Sequence, residues 1–384
     1  MTVPTLDHDF SDVSSTGSSC MTGMTAISPR ICVVVPYKPA TSETFIRAHT
    51  EKLQDVSCVI CGDGQFHASS DWLKEALRNC KPDVVLAEYG PTGVVCTEVC
   101  HDLGIPLVVR FAGFDAFDER ALAVYSHGYS DLFKYAAKIV VVSNPMIKRV
   151  IELGAPRRKV QLCPSGADPT LFTGAEPVKA PPLIIAVGRF VDKKAPQLTL
   201  HAFAKVIRQV SEARLLMIGD GPLLECCREL AEATGIGEKV EFPGALDHSS
   251  VAAALRNAAV FVQHSVTTSY GDSEGTPNTV MEAAACGLPV VATRSGGIPT
   301  VIRHERDGFL VVERDCTSMA DYLARLLLDR PLAAKLGASG RKRVKRYFSQ
   351  SRSLRKLHNI LVRAAFTGSS CSGPKKLDSF SSTQ

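Results

Sequence analysis

The chain alternates short, almost wholly apolar runs with longer segments in which apolar residues recur every three or four positions. The short runs are typical of buried strands, and the longer spacing is typical of amphipathic helices. The predicted strands are 31–35, 56–60, 84–87, 107–111, 139–142, 183–187, 215–218, 240–242, 260–263, 290–292 and 309–312. The predicted helices are 43–53, 72–79, 94–103, 129–137, 145–153, 197–210, 223–233, 249–257, 279–286, 317–328, 340–348 and 351–365. Regular strand–helix alternation indicates an α/β fold with parallel sheets that helices cover on both faces.

The alternation stops once, at 173–182, where glycine and proline interrupt the periodicity. Such a segment is typical of a linker, so we predict two Rossmann-like domains. The predicted units are a disordered tail at 1–28, a first domain at 29–174, a second domain at 175–348, a C-terminal helix at 349–366 and a disordered tail at 367–384. Two such domains would place a ligand cleft at the carboxyl ends of their strands.

Composition narrows the class of protein. With 384 residues, 45% apolar and 22% charged, the chain suits two ordinary globular domains. A formal net charge of +5 is too small to favour nucleic-acid binding, although it suits anionic ligands or an anionic membrane surface. No run approaches the roughly 20 apolar residues of a membrane span, and the acidic N-terminus is not typical of a signal peptide. We therefore expect a cytoplasmic protein, with peripheral contact at the inner membrane face left open.

The 13 cysteines do not indicate a metal site. Cys58 and Cys61 form one Cys-x-x-Cys pair, but a structural zinc site needs a second pair and none is present. Many of the others lie inside apolar strand or helix patterns, as reduced, buried thiols do. We expect no metal and no bound cofactor.

Glycine-rich signatures exclude two common nucleotide-binding classes. In Gly219-Asp220-Gly221-Pro222-Leu223-Leu224, leucine takes the place of the last glycine of a dinucleotide-binding turn. A Gly-x4-Gly-Lys-Ser/Thr phosphate loop is also missing from the sequence. Nicotinamide-dependent dehydrogenases and P-loop NTPases are therefore disfavoured.

The most informative segment runs from Gly271 to Ala283, where a polar loop leads into a helix beginning near Thr279. The free N–H groups and the dipole of such a helix start favour a phosphate. Glu274 before the helix and Glu282 one turn inside it would flank that phosphate, where their carboxylates can accept hydrogen bonds from hydroxyl groups of a sugar and a ribose. Two simpler interpretations stay open: Thr279 and Glu282 fit a capping box, and Glu274 could be an ordinary loop acid.

The segment resembles the Glu-x7-Glu motif of retaining glycosyltransferases of family 4. The matching runs are Glu274-Gly275-Thr276-Pro277, Glu282-Ala283, Cys286-Gly287-Leu288-Pro289, Val187-Gly188-Arg189-Phe190 with Lys193-Lys194, Ile218-Gly219-Asp220-Gly221-Pro222, Gly296-Gly297-Ile298-Pro299 and Asp307-Gly308-Phe309. In the first half, Ser42-Glu43-Thr44-Phe45-Ile46, Gly113-Phe114-Asp115 and Val142-Ser143 resemble a bacterial exopolysaccharide-type branch. The resemblance covers residues 30–366.

This resemblance implies a GT-B architecture and metal-independent, retaining transfer of a hexose. The donor would be a UDP, GDP or ADP sugar bound by the second domain. The acceptor would be a glycan, a lipid-linked sugar or a small molecule bound by the first, which the last helix would cross back to brace. The implied catalytic residues are Glu274, Arg189 and Lys194. The implied donor-binding residues are Gly188, Gly275, Thr276, Pro277, Asn278, Thr279 and Glu282, and the acceptor-side candidates are Arg110, Gly113 and Asp115.

Some of these roles have simpler alternatives. Lys193 and Lys194 could be a solvated pair, and Arg189 the exposed end of a strand. Asp115 could stabilise a turn rather than contact an acceptor. The basic run that begins at Arg341 is typical of a solvated helix face, with a membrane-binding patch as the other interpretation.

The sequence departs from the family pattern at three places. Ala112 stands where the branch has its active-site histidine, Thr300 replaces a glutamate, and His264-Ser265 replaces Pro-Ser. His101, His127 and His264 are candidate substitutes for the missing imidazole. The departures leave a second function open, a catalytically impaired GT-B protein acting as a nucleotide-binding or partner subunit. Another GT-B enzyme, such as a nucleotide-sugar epimerase or a phosphorylase, is a third.

Overall fold

The computed structural model describes residues 28–38, 43–62 and 70–368, so nearly all of both predicted tails lies outside the described residues. The strands are β1 Ile31–Val35, β2 Val56–Cys61, β3 Val84–Glu88, β4 Leu107–Arg110, β5 Lys138–Val141, β6 Val160–Leu162, β7 Leu183–Val187, β8 Arg214–Ile218, β9 Val240–Gly244, β10 Val260–Gln263, β11 Val290–Thr293 and β12 Gly308–Val311. The helices are α1 Thr44–Lys52, α2 Ser70–Cys80, α3 Gly90–Leu103, α4 Phe114–Phe117, α5 Glu119–Tyr125, α6 Tyr129–Tyr135, α7 Asn144–Glu152, α8 Pro196–Val206, α9 Leu224–Ala233, α10 His248–Asn257, α11 Asn278–Cys286, α12 Ile298–Val301, α13 Cys316–Leu328, α14 Arg330–Tyr347 and α15 Gln350–Gly368.

The first sheet has the order β2-β1-β3-β4-β5-β6, and every described pairing in it is parallel. Alternate residues of β1 point into two separate apolar cores. Cys32 and Val34 face one core, and Ile31 and Val33 face the other. Burial on both faces explains why β1 is a continuous apolar run rather than an alternating one.

The second sheet has the order β12-β11-β10-β7-β8-β9, again with parallel pairings throughout its described strands. In β10, Val260 and Val262 face one apolar core and Phe261 faces the other. The strand order reverses between β7 and β10, and a sheet of this kind opens a crevice at the carboxyl ends of the strands on either side of that point. The predicted α/β fold with two parallel, helix-covered sheets is confirmed.

The last helix, α15, packs on the first sheet although it follows the second in sequence. Leu357, Leu361 and Ala364 share an apolar core with Ile31 and Val33 of β1. Helix α15 therefore connects the second domain back to the first sheet.

The structure contains elements that the pattern did not predict. Strand β6 has only three residues and includes Gln161, so it forms no apolar run. Helix α14 begins at Arg330, ten residues before the predicted start. Glycine is unfavourable in a helix interior, yet Gly337 and Gly340 both lie inside this helix. A Cβ on Gly337 would lie 1.9 Å from the carbonyl oxygen of Gly287, so the glycine is what lets α14 pack against the end of α11.

Candidate active site

The loop between β10 and α11 is held against the first domain by direct hydrogen bonds. The Thr276 hydroxyl donates to the Val142 carbonyl at 2.6 Å, and the Asn278 amide donates to the Thr44 hydroxyl at 3.0 Å. A Cβ on Gly275 would lie 2.1 Å from the Ala112 carbonyl oxygen. Only glycine therefore fits where this loop meets the first domain.

Helix α11 begins at Asn278, one residue before the predicted start, and its N-terminus lies at the cleft. Pro277 precedes it in an extended conformation, and the helix start has no side-chain cap. Thr279 donates instead to the Gln263 side chain at 3.1 Å. The first N–H groups of the helix therefore remain available to an anion, as the sequence predicted.

Glu274 is a buried carboxylate that uses only one of its two oxygens for hydrogen bonds within the protein. Its Oε1 accepts from Lys194 Nζ at 2.8 Å, from the Ser265 hydroxyl at 3.0 Å and from Gln263 Nε2 at 3.4 Å. Its Oε2 accepts no hydrogen bond from the described residues. Burial opposes ionisation of this carboxyl, but Lys194 and Lys193 outweigh burial and lower its pKa. Glu274 is therefore an anion with one oxygen left for a ligand.

The ammonium group of Lys194 is buried beside that carboxylate. Burial lowers the pKa of Lys194, and Glu274 offsets this only in part. The lysine is consequently poorly solvated, and an additional anion in the cleft would stabilise its charge.

Glu282 lies on α11 and is 5% exposed. No hydrogen bond or ion pair within the described residues reaches its carboxyl group, and α11 does not use it as a cap. Burial raises its pKa to about 7, with Lys194 opposing the shift. The capping-box interpretation therefore does not hold in this structure, and the carboxyl group faces the cleft without a partner.

The cleft beside Glu282 is a cavity of about 370 Å³ that is open to solvent. It is bounded by the carboxyl ends of β7, β8 and β9, by the start of α11 and by Thr44 of the first domain. Gly188 and the exposed Arg189 line it, and the Arg189 guanidinium makes no hydrogen bond or ion pair inside the described ranges. The cavity thus combines an apolar floor, a free cation and an unpaired acid.

Two glycines shape the floor of this cavity. Gly219 has φ +146°, and a Cβ there would lie 1.9 Å from the Gly188 carbonyl oxygen. Gly221 has φ +148°, and a Cβ there would lie 2.5 Å from the Phe190 carbonyl oxygen. The Gly-Asp-Gly turn therefore lets the loop that follows β7 approach the turn that follows β8.

The acceptor-side candidates make their contacts inside the first domain or at the edge of its loop after β4. Asp115 is fully buried, and its oxygens accept from the backbone N–H groups of Gly90 at 3.0 Å, Ala112 at 3.0 and 3.2 Å and Gly113 at 2.8 Å. Burial raises the pKa of Asp115, while these N–H groups lower it. Its carboxylate organises the loop after β4, as the turn interpretation holds. Gly113 lies on that loop, facing Gly275.

Arg110 belongs to a buried polar network that the sequence did not reveal. Its guanidinium lies 3.4 Å from Glu88 and donates to Ser165 at 2.8 Å, and Glu88 also contacts His49 Nδ1 at 2.5 Å. His49 lines a second, small cavity of about 50 Å³, which shares Glu282 with the first. Arg110, Glu88 and His49 are far apart in sequence, so only the meeting of α1, β3 and β4 brings them together.

The candidate substitutes for the missing histidine fall in three different places. His101 is at the end of α3 that leads into β4, and therefore at the amino edge of the first sheet, opposite the cleft. His127 is exposed in the turn before α6. His264 is fully buried at the end of β10, where Nε2 accepts from the Arg314 N–H at 2.9 Å and burial lowers the pKa to about 4. Of the three, only His264 lies beside the Gly188 loop.

Two Rossmann-like sheets facing a cleft, with cations and acids around a free helix start, define the class of GT-B glycosyltransferases. The chain belongs to glycosyltransferase family 4. Residues 51–171 match the family model Glycosyltransferase Family 4, and residues 170–343 match the model Glycosyl transferases group 1.

Relatives include bacterial exopolysaccharide glycosyltransferases. The chain is 34% identical over 288 residues to WcaL of Escherichia coli K12, whose name places it among colanic acid biosynthesis glycosyltransferases; the match covers 73% of this chain and 70% of that one. It is 27% identical over 356 residues to the amylovoran biosynthesis glycosyltransferase AmsK of Erwinia amylovora, covering 89% and 84%. A GDP-mannose-dependent phosphatidylinositol monomannoside mannosyltransferase of Mycobacterium tuberculosis is 31% identical over 215 residues, covering 53% and 56%. The exopolysaccharide branch is confirmed.

Solved structures share the fold at low sequence identity. HepE of Anabaena, crystallised with UDP-glucose, matches with a TM-score of 0.74 at 15% identity, covering 87% of this chain and 99% of that chain. Sucrose-phosphate synthase of Thermosynechococcus elongatus matches with a TM-score of 0.72 at 20% identity, covering 88% and 99%. Among the described residues, no helix combines the length and the apolar character that a membrane crossing needs.

Proposed function

We propose that this glycosyltransferase is a retaining hexosyltransferase that uses a UDP, GDP or ADP sugar. The observation that carries the proposal is the arrangement around one cleft of Arg189, Lys194, the start of α11, Glu274 and Glu282. The two cations and the helix N-terminus suit a diphosphate and supply enough positive charge to bind it without a metal ion. The free oxygen of Glu274 suits a hydroxyl of the transferred sugar, and Glu282 suits the ribose.

In the proposed reaction the bond between the anomeric carbon and the donor phosphate oxygen breaks, and a bond from that carbon to an acceptor hydroxyl oxygen forms on the same face. The acceptor proton passes to the departing phosphate, so Ala112 need not be replaced by another base. Arg189 and Lys194 stabilise the charge that develops on this phosphate. Electrostatic contributions of this kind are worth about 3 to 4 kcal/mol per group in the transition state.

We infer only the broad class of the acceptor. A glycan or a lipid-linked sugar agrees with the exopolysaccharide relatives, and a small-molecule acceptor remains the third option. For a lipid-linked acceptor, the enzyme would work in the cytoplasm at the inner membrane face, where its basic helices α14 and α15 would favour anionic lipid.

The first test is calorimetric titration of the purified protein with UDP, GDP and ADP, each with and without EDTA. We expect one nucleotide to bind with a Kd near 1 µM, or about −8 kcal/mol, and EDTA to leave that Kd unchanged. The matching nucleotide sugar should then label an acceptor with retained configuration, which NMR of the product reports. Binding without any transfer or donor hydrolysis would favour the impaired partner subunit that Ala112 suggests. Absence of binding by all three nucleotides would refute the proposal.

A further inference from the structure

Three consecutive residues of the turn Asp192–Lys194, which follows β7, pair with alternate residues of the loop before α11. The loop turns at Tyr270 and Gly271, where the glycine has φ +82°, and then runs on to Glu274. The pairs are Tyr270 hydroxyl to Asp192 at 2.8 Å, Lys193 Nζ to Asp272 at 3.1 Å and Lys194 Nζ to Glu274 at 2.8 Å. We call these three pairs the charged ladder.

The first domain contacts the charged ladder along its length. At the inner end, the Ala112 carbonyl meets Gly275. At the outer end, the backbone carbonyl of Tyr270 accepts the Glu119 N–H at 2.9 Å, and the Arg120 guanidinium lies 3.4 Å from the centre of the Tyr270 ring. The first domain therefore contacts Tyr270 of the outer pair, whereas Asp192 is exposed.

The middle pair differs from the other two. Lys193 and Asp272 have side chains only 12% and 13% exposed, yet each makes a single hydrogen bond or ion pair to another side chain within the described part of the chain. Burial raises the pKa of Asp272, and Lys193 opposes the shift. Poorly solvated donors and acceptors are costly unless a ligand satisfies them.

Gly113 of the first-domain loop lies across from this pair. A Cβ on Gly113 would lie 4.0 Å from Lys193 Nζ and 3.7 Å from the Gly275 nitrogen. A side chain there would fill the gap between the first-domain loop, the Lys193 ammonium and the loop that carries Glu274. Lys193 Nζ therefore lies near the junction of the first-domain loop with the loop that carries Glu274, whose free oxygen is proposed to bind the transferred sugar.

We propose that Lys193 and Asp272 bind one hydroxyl group of the transferred sugar and thereby determine which sugar is transferred, an inference that rests on the proposed function. A hydroxyl both donates and accepts, so it matches an ammonium beside a carboxylate. The pair lies one step further than Glu274 from the diphosphate cation Lys194, which assigns it to the ring edge remote from the anomeric carbon, at C4 or C6.

The test compares sugar discrimination with nucleotide affinity in Lys193→Met and Asp272→Asn. Donors are taken in matched sets: UDP-glucose with UDP-galactose, ADP-glucose with ADP-galactose, and GDP-mannose with its 6-deoxy form. We expect each variant to lose about 10- to 100-fold in kcat/KM for the preferred donor and less than about threefold for the analogue, because only the first uses the contact. Affinity for UDP, GDP or ADP alone should change by less than about twofold.

Tyr270→Phe is the matched control, because it removes the outer hydrogen bond of the charged ladder and leaves the middle pair intact. It should keep the wild-type preference between donors. Equal losses on both donors of a set, or the same loss of preference in Tyr270→Phe, would overturn the inference and leave the pair a merely structural brace. If the wild-type protein binds no nucleotide at all, the proposed function fails together with this inference. If Lys193→Met and Asp272→Asn transfer sugar normally and keep the wild-type preference between donors, only this inference is refuted.

Discussion

Replacing Lys194 tests whether the buried Lys194–Glu274 ion pair both stabilises the fold and binds the donor nucleotide. In Lys194→Ala, Glu274 would keep its bonds from Ser265 and Gln263 but lose the ammonium at 2.8 Å. Removing one partner of a buried ion pair costs about 3 to 5 kcal/mol, and the slight exposure of this pair argues for the lower end. For a domain of this size, 3 kcal/mol corresponds to a fall in Tm of roughly 6 to 12 °C.

The loss of stability should depend on pH in a defined direction. In the wild type the folded pKa of Glu274 is lowered, so its contribution is present above the ordinary pKa of 4.5 and is lost as pH falls through the folded pKa. In Lys194→Ala, the effect of burial on the Glu274 carboxyl is opposed chiefly by Lys193, so the pKa of Glu274 in the folded protein rises. The deficit of the variant relative to wild type should therefore shrink as the pH is lowered from 7.5 to 5.

Thermal unfolding and nucleotide calorimetry together separate the two roles. We expect Lys194→Ala to weaken binding of the preferred nucleoside diphosphate by about 10- to 150-fold, the value of a charged hydrogen bond. Adding Glu274→Gln should recover part of the Tm, since no buried charge is then left unpaired, but none of the affinity. Lys205→Ala, an exposed lysine on α8, is the control and should match wild type. Wild-type Tm and wild-type affinity in Lys194→Ala would refute the reasoning.

Three further predictions concern two buried acids, Glu282 and Asp115. Since burial raises the pKa of Glu282 to about 7, nucleotide affinity should increase as pH rises from 6 to 8, and calorimetry should find no such increase in Glu282→Gln; the reverse trend would contradict a ribose contact by the ionised carboxylate. The raised pKa of Glu282 also makes the free energy of unfolding depend on pH. The stability gained from the protonated acid is present below pH 4.5 and is lost as the pH rises to about 7. Glu282→Gln should remove this pH dependence from thermal unfolding. Asp115→Asn should cost about 1 to 3 kcal/mol in unfolding free energy, because its amide would face backbone N–H groups, yet leave nucleotide affinity unchanged. Unchanged stability with lost acceptor use would instead make Asp115 an acceptor contact.

The sequence determined the architecture because each strand is buried on both faces. Strands such as β1 and β10 are then continuous apolar runs, which predict a parallel sheet without any knowledge of the partners. The free start of α11 was also predictable, since a polar loop before an apolar helix is a local feature. By contrast, the short strand β6 and the early start of α14 were not, because tertiary packing overrode local preference there.

Only the tertiary structure decided what each candidate residue touches. It pairs Lys194 with Glu274, leaves Glu282 without a partner and commits Asp115 to the backbone of its own loop. Lys193 was a candidate for a solvated surface residue until the structure placed Asp272 beside it. Local sequence determines which side chains are available at each position. Contacts between residues far apart in the chain depend on how the two domains pack against each other, and the hydrophobic periodicity of the sequence carries no information about that packing.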